Sequence, residues 1–104
     1  MSTRLEIIKK YLEEEPGDSF LRYAYALELI GMNEHARALE LLESLLNDDA
    51  EYLAAYYMAG KSAEAMGHKE HAMNWYEKGQ SVARAQNNLQ TLQELRAAYE
   101  SLED

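Results

Sequence analysis

The chain has 104 residues, 47% of them hydrophobic and 28% charged, and 19 acidic against 10 basic side chains leave a net charge of −9. Such a length holds one small globular domain that buries about two-thirds of its unfolded surface. The charge repels nucleic-acid phosphates and anionic membranes, and the lack of cysteine excludes disulfides, thiolate nucleophiles and cysteine zinc ligands.

Apolar residues recur at steps of three and four with no alternating stretch, which predicts helices throughout. The first opens at a Thr3/Glu6 capping box, carries Leu5, Ile8, Tyr11 and Leu12, and stops at Pro16-Gly17. Asp18 caps the second, whose expected inward stripe is Phe20, Tyr23, Ala24, Leu27 and Ile30 before Gly31. The third carries Ala36, Leu39, Leu42, Leu45 and Leu46. A box-like start at Asp48 and Glu51 leads the fourth, with Tyr52, Tyr56, Ala59, Gly60, Ala63 and Met66 up to Gly67. The fifth holds Ala72, Met73, Trp75, Tyr76 and Gly79. Asn88 caps a sixth, with Leu89, Leu92, Leu95, Tyr99 and Leu102 on one side. The charged start "MSTRLEIIKKYLEEE" lacks the apolar run of a signal peptide, and "YLAAYYMAG" is far short of a membrane span, so the expected location is cytoplasmic.

"GMNEHA" at 31–36 returns as "GHKEHA" at 67–72, an offset of 36. Aligned on that offset, each helix pair has an aromatic (Phe20, Tyr56), a small residue four later (Ala24, Gly60), a closing Gly (Gly31, Gly67) and an Ala five beyond (Ala36, Ala72). Small residues at fixed places let two helix backbones approach, and stacking on neighbours completes each core.

In these residues the chain resembles the tetratricopeptide repeat (TPR) family. "AYYMAGKSAEAMGHKEHAMNWYEKG" places Tyr56, Ala59-Gly60, Ala63, Gly67, Ala72, Tyr76 and Gly79 in the family's order, and 18–46 follows it more loosely, with Glu40 and Glu43 where an aromatic and a small residue are usual. The resemblance implies an all-α, right-handed superhelical stack of six antiparallel helices in one domain. Residues 1–16 would form an incomplete leading repeat, 18–47 the first repeat, 48–84 the second and 88–103 a capping helix. Two residues beyond the usual 34 are expected near "LLESLLNDD".

The first helix of each pair in that family lines a concave surface where partner peptides lie. The resemblance thereby implies a non-catalytic protein-interaction module with Leu21, Arg22, Tyr25 and Glu28, then Tyr57, Met58, Lys61 and Glu64, on the binding face. Family members that clamp an acidic carboxylate tail carry Lys and Asn where this chain has Leu21, Tyr25 and Met58, so a basic, mixed or apolar partner is expected in place of an acidic one. Self-association into a homodimer is the competing reading. A metal-binding or hydrolytic role through His68, Glu70 and His71 is a distant third, because two histidines three apart make no complete site and neither HExxH nor GxSxG occurs. The residues accordingly give no catalytic, cofactor or metal assignment. His35 and His71, shared by the two hexapeptides, are left without a structural account.

Overall fold

A computed structural model describes residues 3 to 104, so the first two positions of the expected 1–16 segment lie outside the described residues. It contains α1 (Arg4–Glu14), α2 (Ser19–Gly31), α3 (His35–Asp48), α4 (Ala54–Ala65), α5 (Lys69–Ala85) and α6 (Leu89–Ser101), with no strand among the described residues. Three starts follow the sequence: Thr3 accepts from Glu6 N, Asp18 from Leu21 N and Asn88 from Thr91 N. Each helix packs chiefly on those before and after it, with a further contact between α2 and α4. The result is an elongated stack of 45 × 29 × 20 Å.

The turns reveal the true repeat. Asn33 (φ 61°) and Gly67 (φ 78°) take the left-handed conformation 34 positions apart, and the residue after each donates back to the carbonyl five before, Glu34 N to Leu29 O and His68 N to Ala63 O. Asn87 (φ 57°) ends α5 in the same way, with Asn88 N on Ala83 O. The two hexapeptides are therefore not equivalent: Gly31 lies in α2 with open space beside it, and Asn33 does the work of Gly67. A period of 34 leaves no extra residues in "LLESLLNDD".

That two-residue correction rotates α2, since two residues span about 200° around a helix. Ala26 and Leu29 are its buried residues, while Phe20 (67% exposed) and Leu27 (38%) face out; the expected inward stripe is wrong for both, and Tyr23, Ala24 and Ile30 are only half-buried. Ala38, not the exposed Ala36, pairs with Ala72, and both are fully buried. Leu42 and Leu45 take the places opposite Tyr76 and Gly79, so Glu40 and Glu43 are ordinary off-core positions. Tyr11, expected among the apolar contacts of α1, is 55% exposed; Ile8 is the buried residue there.

The core joins Leu39, Leu42, Leu45 and Leu46 of α3 to Ala55, Tyr56, Ala59 and Ala63 of α4, then to Ala72 and Tyr76 of α5 and Leu92 and Leu95 of α6. Between α4 and α5 the fit is reciprocal: Gly60 lies against the Tyr76 ring, and Gly79 against Tyr56 Cβ and Leu95. The expected Asp48/Glu51 helix start does not form. α4 has no side-chain cap; Asp48 binds α2 instead, taking Arg22 at 2.9 Å, and the neighbouring Asp49 accepts from Ser19 Oγ at 2.7 Å.

Candidate partner-binding groove

With the 34-residue register, α2 and α4 turn corresponding faces to the same side. Phe20, Tyr23, Ala24, Leu27 and Ile30 of α2 stand where Ala54, Tyr57, Met58, Lys61 and Glu64 stand in α4. A cleft of about 170 Å³ opens there, lined by Tyr23, Ala54, Tyr57, Thr91 and Glu94, one or two residues from each of α2, α4 and α6. Tyr23 leans on Tyr52 with ring centroids 5.4 Å apart, and Tyr57 on Tyr76 at 6.0 Å. Both ring systems are thus braced from behind by aromatic neighbours.

The polar groups of α4 are partly committed within the chain. Lys61 Nζ sits 5.3 Å from the centroid of the Tyr57 ring and 3.7 Å from Glu64, and Glu64 also accepts the buried Tyr76 hydroxyl. Burial first, and the Glu64 carboxylate second, raise the Tyr76 phenol well above its usual value. Among the described residues no basic group lies within ion-pair distance of Glu94, whose carboxylate borders the cleft.

The expected binding residues divide accordingly. Of the four from α4, Tyr57 lines the cleft, and Met58, Lys61 and Glu64 follow it on the same helix at steps of one, four and seven residues. The four from α2 do not join them, because the rotation carries them toward α1 and α3. Arg22, only 12% exposed at its side chain, spans Asp48 and Ser44 of α3. Tyr25 lies under Lys9 of α1 at 5.6 Å and accepts from Arg37 of α3 at 3.4 Å. Glu28 pairs with Arg4 at 3.5 Å, and Leu21 lines a cleft with Tyr11 and Phe20 beside the α1–α2 turn. The cleft residues missed from sequence are Tyr23, Ala54, Thr91 and Glu94; the 34-residue spacing of Ala38 and Ala72 is the signal that sets Tyr23 beside Tyr57.

The histidines part company as well. His71 Nε2 meets Glu43 Oε2 at 2.6 Å, and Trp75 Nε1 donates to the same oxygen at 3.0 Å, which ties α5 to α3. His35 opens α3 with a buried Nδ1 that has no hydrogen-bond partner, which nothing nearby explains. His68 and Glu70 are exposed, and no group of three His, Asp or Glu side chains among the described residues is placed to hold a metal ion.

No protein-family model and no curated protein matches the chain. Among solved structures, the solution structure of a tetratricopeptide repeat domain protein from Salinibacter ruber is 36% identical, with a TM-score of 0.80 over 85% of this chain and 89% of that one. The chain belongs to the tetratricopeptide repeat family. A crystal structure of a TPR domain protein from the same organism is 35% identical, with a TM-score of 0.77 over 82% of this chain and 96% of that one. A solution structure of a Bordetella parapertussis protein shares the fold at 22% identity, with a TM-score of 0.86 over 98% of this chain and 89% of that one. TPR folds serve in general as protein-interaction modules, typically without enzymatic activity. No helix among the described residues is long and apolar enough to cross a membrane.

Proposed function

We propose that the α2/α4/α6 face is a non-catalytic docking groove for a segment of another protein. The observation that carries this reading is the conjunction of the three-helix cleft, walled by Tyr23 and Tyr57, with the exposed Leu27 one turn from Tyr23 on α2. Braced tyrosines and exposed aliphatic groups gain contact area at little entropic cost, which is what partner capture requires. The fitting segment is mixed: apolar side chains against Tyr23 and Leu27, and a basic one reaching Glu94 and the tyrosine rings. A net charge of −9 favours the same choice over an acidic partner. Together with the absence of cysteine it suits a scaffold in the cytoplasm.

The test is selection of binding peptides from a random display library, followed by calorimetry on the selected peptides. Tyr57→Ala, Leu27→Asp and Glu94→Lys are each expected to weaken binding about tenfold or more, while Tyr25→Ala leaves it unchanged. Failure to select any binder, or binders indifferent to all three groove substitutions, would sink the proposal.

A further inference from the structure

The first helix carries its charge against its own dipole. It begins with Arg4 and closes with Glu13, Glu14 and Glu15, and its last turn has no basic residue. Acid at a helix C-terminus is unfavourable unless a cation stands beside it. The neighbour α2 supplies none at that end: Glu14, Glu15 and Asp18 line one cleft together with the apolar Tyr11, Phe20 and Leu21. At the other end Arg4 reaches Glu28 at 3.5 Å but remains 82% exposed, so it is available to a second carboxylate.

An unpartnered apolar strip runs beside these charges. Ile8, with half-buried Leu5 and Leu12, faces α2, whereas Ile7 (45% exposed) and Tyr11 (55%) stand one turn apart in solvent, and Phe20 continues the patch across the turn. Six large hydrophobic side chains are exposed among the described residues, and three of them are gathered here. We propose that the occupant is a second copy of this chain, bound through α1 about a two-fold axis with the two helices antiparallel.

The numbering of the helix itself supplies the match. An antiparallel two-fold axis passing at Lys9 exchanges position 7 with 11 and position 4 with 14. Ile7 then packs on Tyr11 of the second copy, and Arg4 meets its Glu14, twice over, as an isologous interface demands. Each α1 C-terminus thereby receives the cation it lacks, and each N-terminus receives an acid. A parallel pairing would set Glu13, Glu14 and Glu15 against their own copies. Lys9 stays clear of the axis because its ammonium lies over the Tyr25 ring on the opposite flank.

Sedimentation of the full chain at physiological ionic strength, from about 10 µM to about 1 mM, tests this. A concentration-dependent dimer is expected, and Tyr11→Glu and Ile7→Glu should each leave a monomer whose circular dichroism and melting temperature are unchanged. Arg4→Glu should weaken the dimer about tenfold, and adding Glu14→Arg should restore it. A monomer at every concentration overturns the proposal. So does a dimer that survives Tyr11→Glu, or one that Leu27→Asp or Leu89→Asp dissolves instead.

Discussion

Replacing Gly60 by Ala adds a single methyl group at the tightest point between α4 and α5. The new Cβ would lie 2.6 Å from both Cδ1 and Cζ of Tyr76, well inside contact distance. The ring has little room to yield, since it is fully buried, faces Tyr57 at 6.0 Å and is held at its hydroxyl by Glu64. Overpacking of this kind costs about 1 to 3 kcal/mol, and a rigid buried ring belongs near the upper end. Ala in a helix interior recovers about 0.5 to 1 kcal/mol relative to Gly. The expected net loss is about 2 kcal/mol, or roughly 8 to 16 °C in melting temperature for a chain of this size. Urea unfolding followed by circular dichroism measures it. The first repeat provides an internal control, because the corresponding places hold Ala26 and Leu42, both fully buried. Combining Gly60→Ala with Tyr76→Leu recreates that pairing, and a double-mutant cycle should show a favourable coupling of about 1 kcal/mol or more. A neutral Gly60→Ala, or strictly additive effects, would refute the reciprocal packing.

Two further outcomes follow from the same contacts. Arg22→Ala removes a guanidinium bound to Asp48 and Ser44 together with its buried stem; because Asp48 is largely exposed the ion pair itself contributes little, and a loss of about 1 kcal/mol is expected with no change in peptide binding. Weakened peptide binding at unaltered stability would return Arg22 to the groove. Alkali should unfold the protein, because Tyr23, Tyr52, Tyr56 and Tyr76 all have phenols raised above the usual value, with burial as the leading cause. The unfolded chain releases those protons near pH 10 while the folded chain retains them, so this stability is complete below about pH 10 and falls above it, by up to about 1.4 kcal/mol per pH unit for each tyrosine. Tyr76→Phe should flatten the slope, and a melting temperature level from about pH 8 to about pH 12 would contradict the burial of these rings.

How far the fold could be read from sequence depended on which signals were local. Helix starts at Thr3, Asp18 and Asn88 need only a side-chain acceptor and an amide three residues on, so they were legible. The second repeat was legible for a different reason: Tyr56, Gly60, Gly67, Ala72, Tyr76 and Gly79 all keep the residue types that close packing requires. The first repeat keeps only Ala38 for Ala72 and substitutes at the other five places, with Arg22 for Tyr56, Ala26 for Gly60, Asn33 for Gly67, Leu42 for Tyr76 and Leu45 for Gly79. Each replacement is physically sound: Asn tolerates a positive φ, a leucine can fill core space, and Arg22 reaches its partners on α3 as Tyr56 reaches the Ala50 carbonyl. Meanwhile the partial match of GMNEHA with GHKEHA, alike at four of six positions, offers a more conspicuous but false register. A slip of two residues does little to the location of helices and nearly reverses their faces, which is why the helices fall where expected while Arg22, Tyr25 and Glu28 face α1 and α3 and not α4.

The proposed groove would tie recognition to stability at the end of the stack. Within two turns of α6, Leu92 and Leu95 enter the core while Thr91 and Glu94 line the cleft. Leu95 is fully buried and lies against Gly79, so α6 covers the inner surface of α5 with the same turns that complete the groove. Any movement of this helix away from α5 exposes apolar core and dismantles the groove wall together. A partner that spans Tyr23, Tyr57 and Glu94 would hold α6 in place, and its binding energy would appear as added stability of the last repeat. Asn88, whose side chain caps α6 at Thr91 N, sits where that coupling begins.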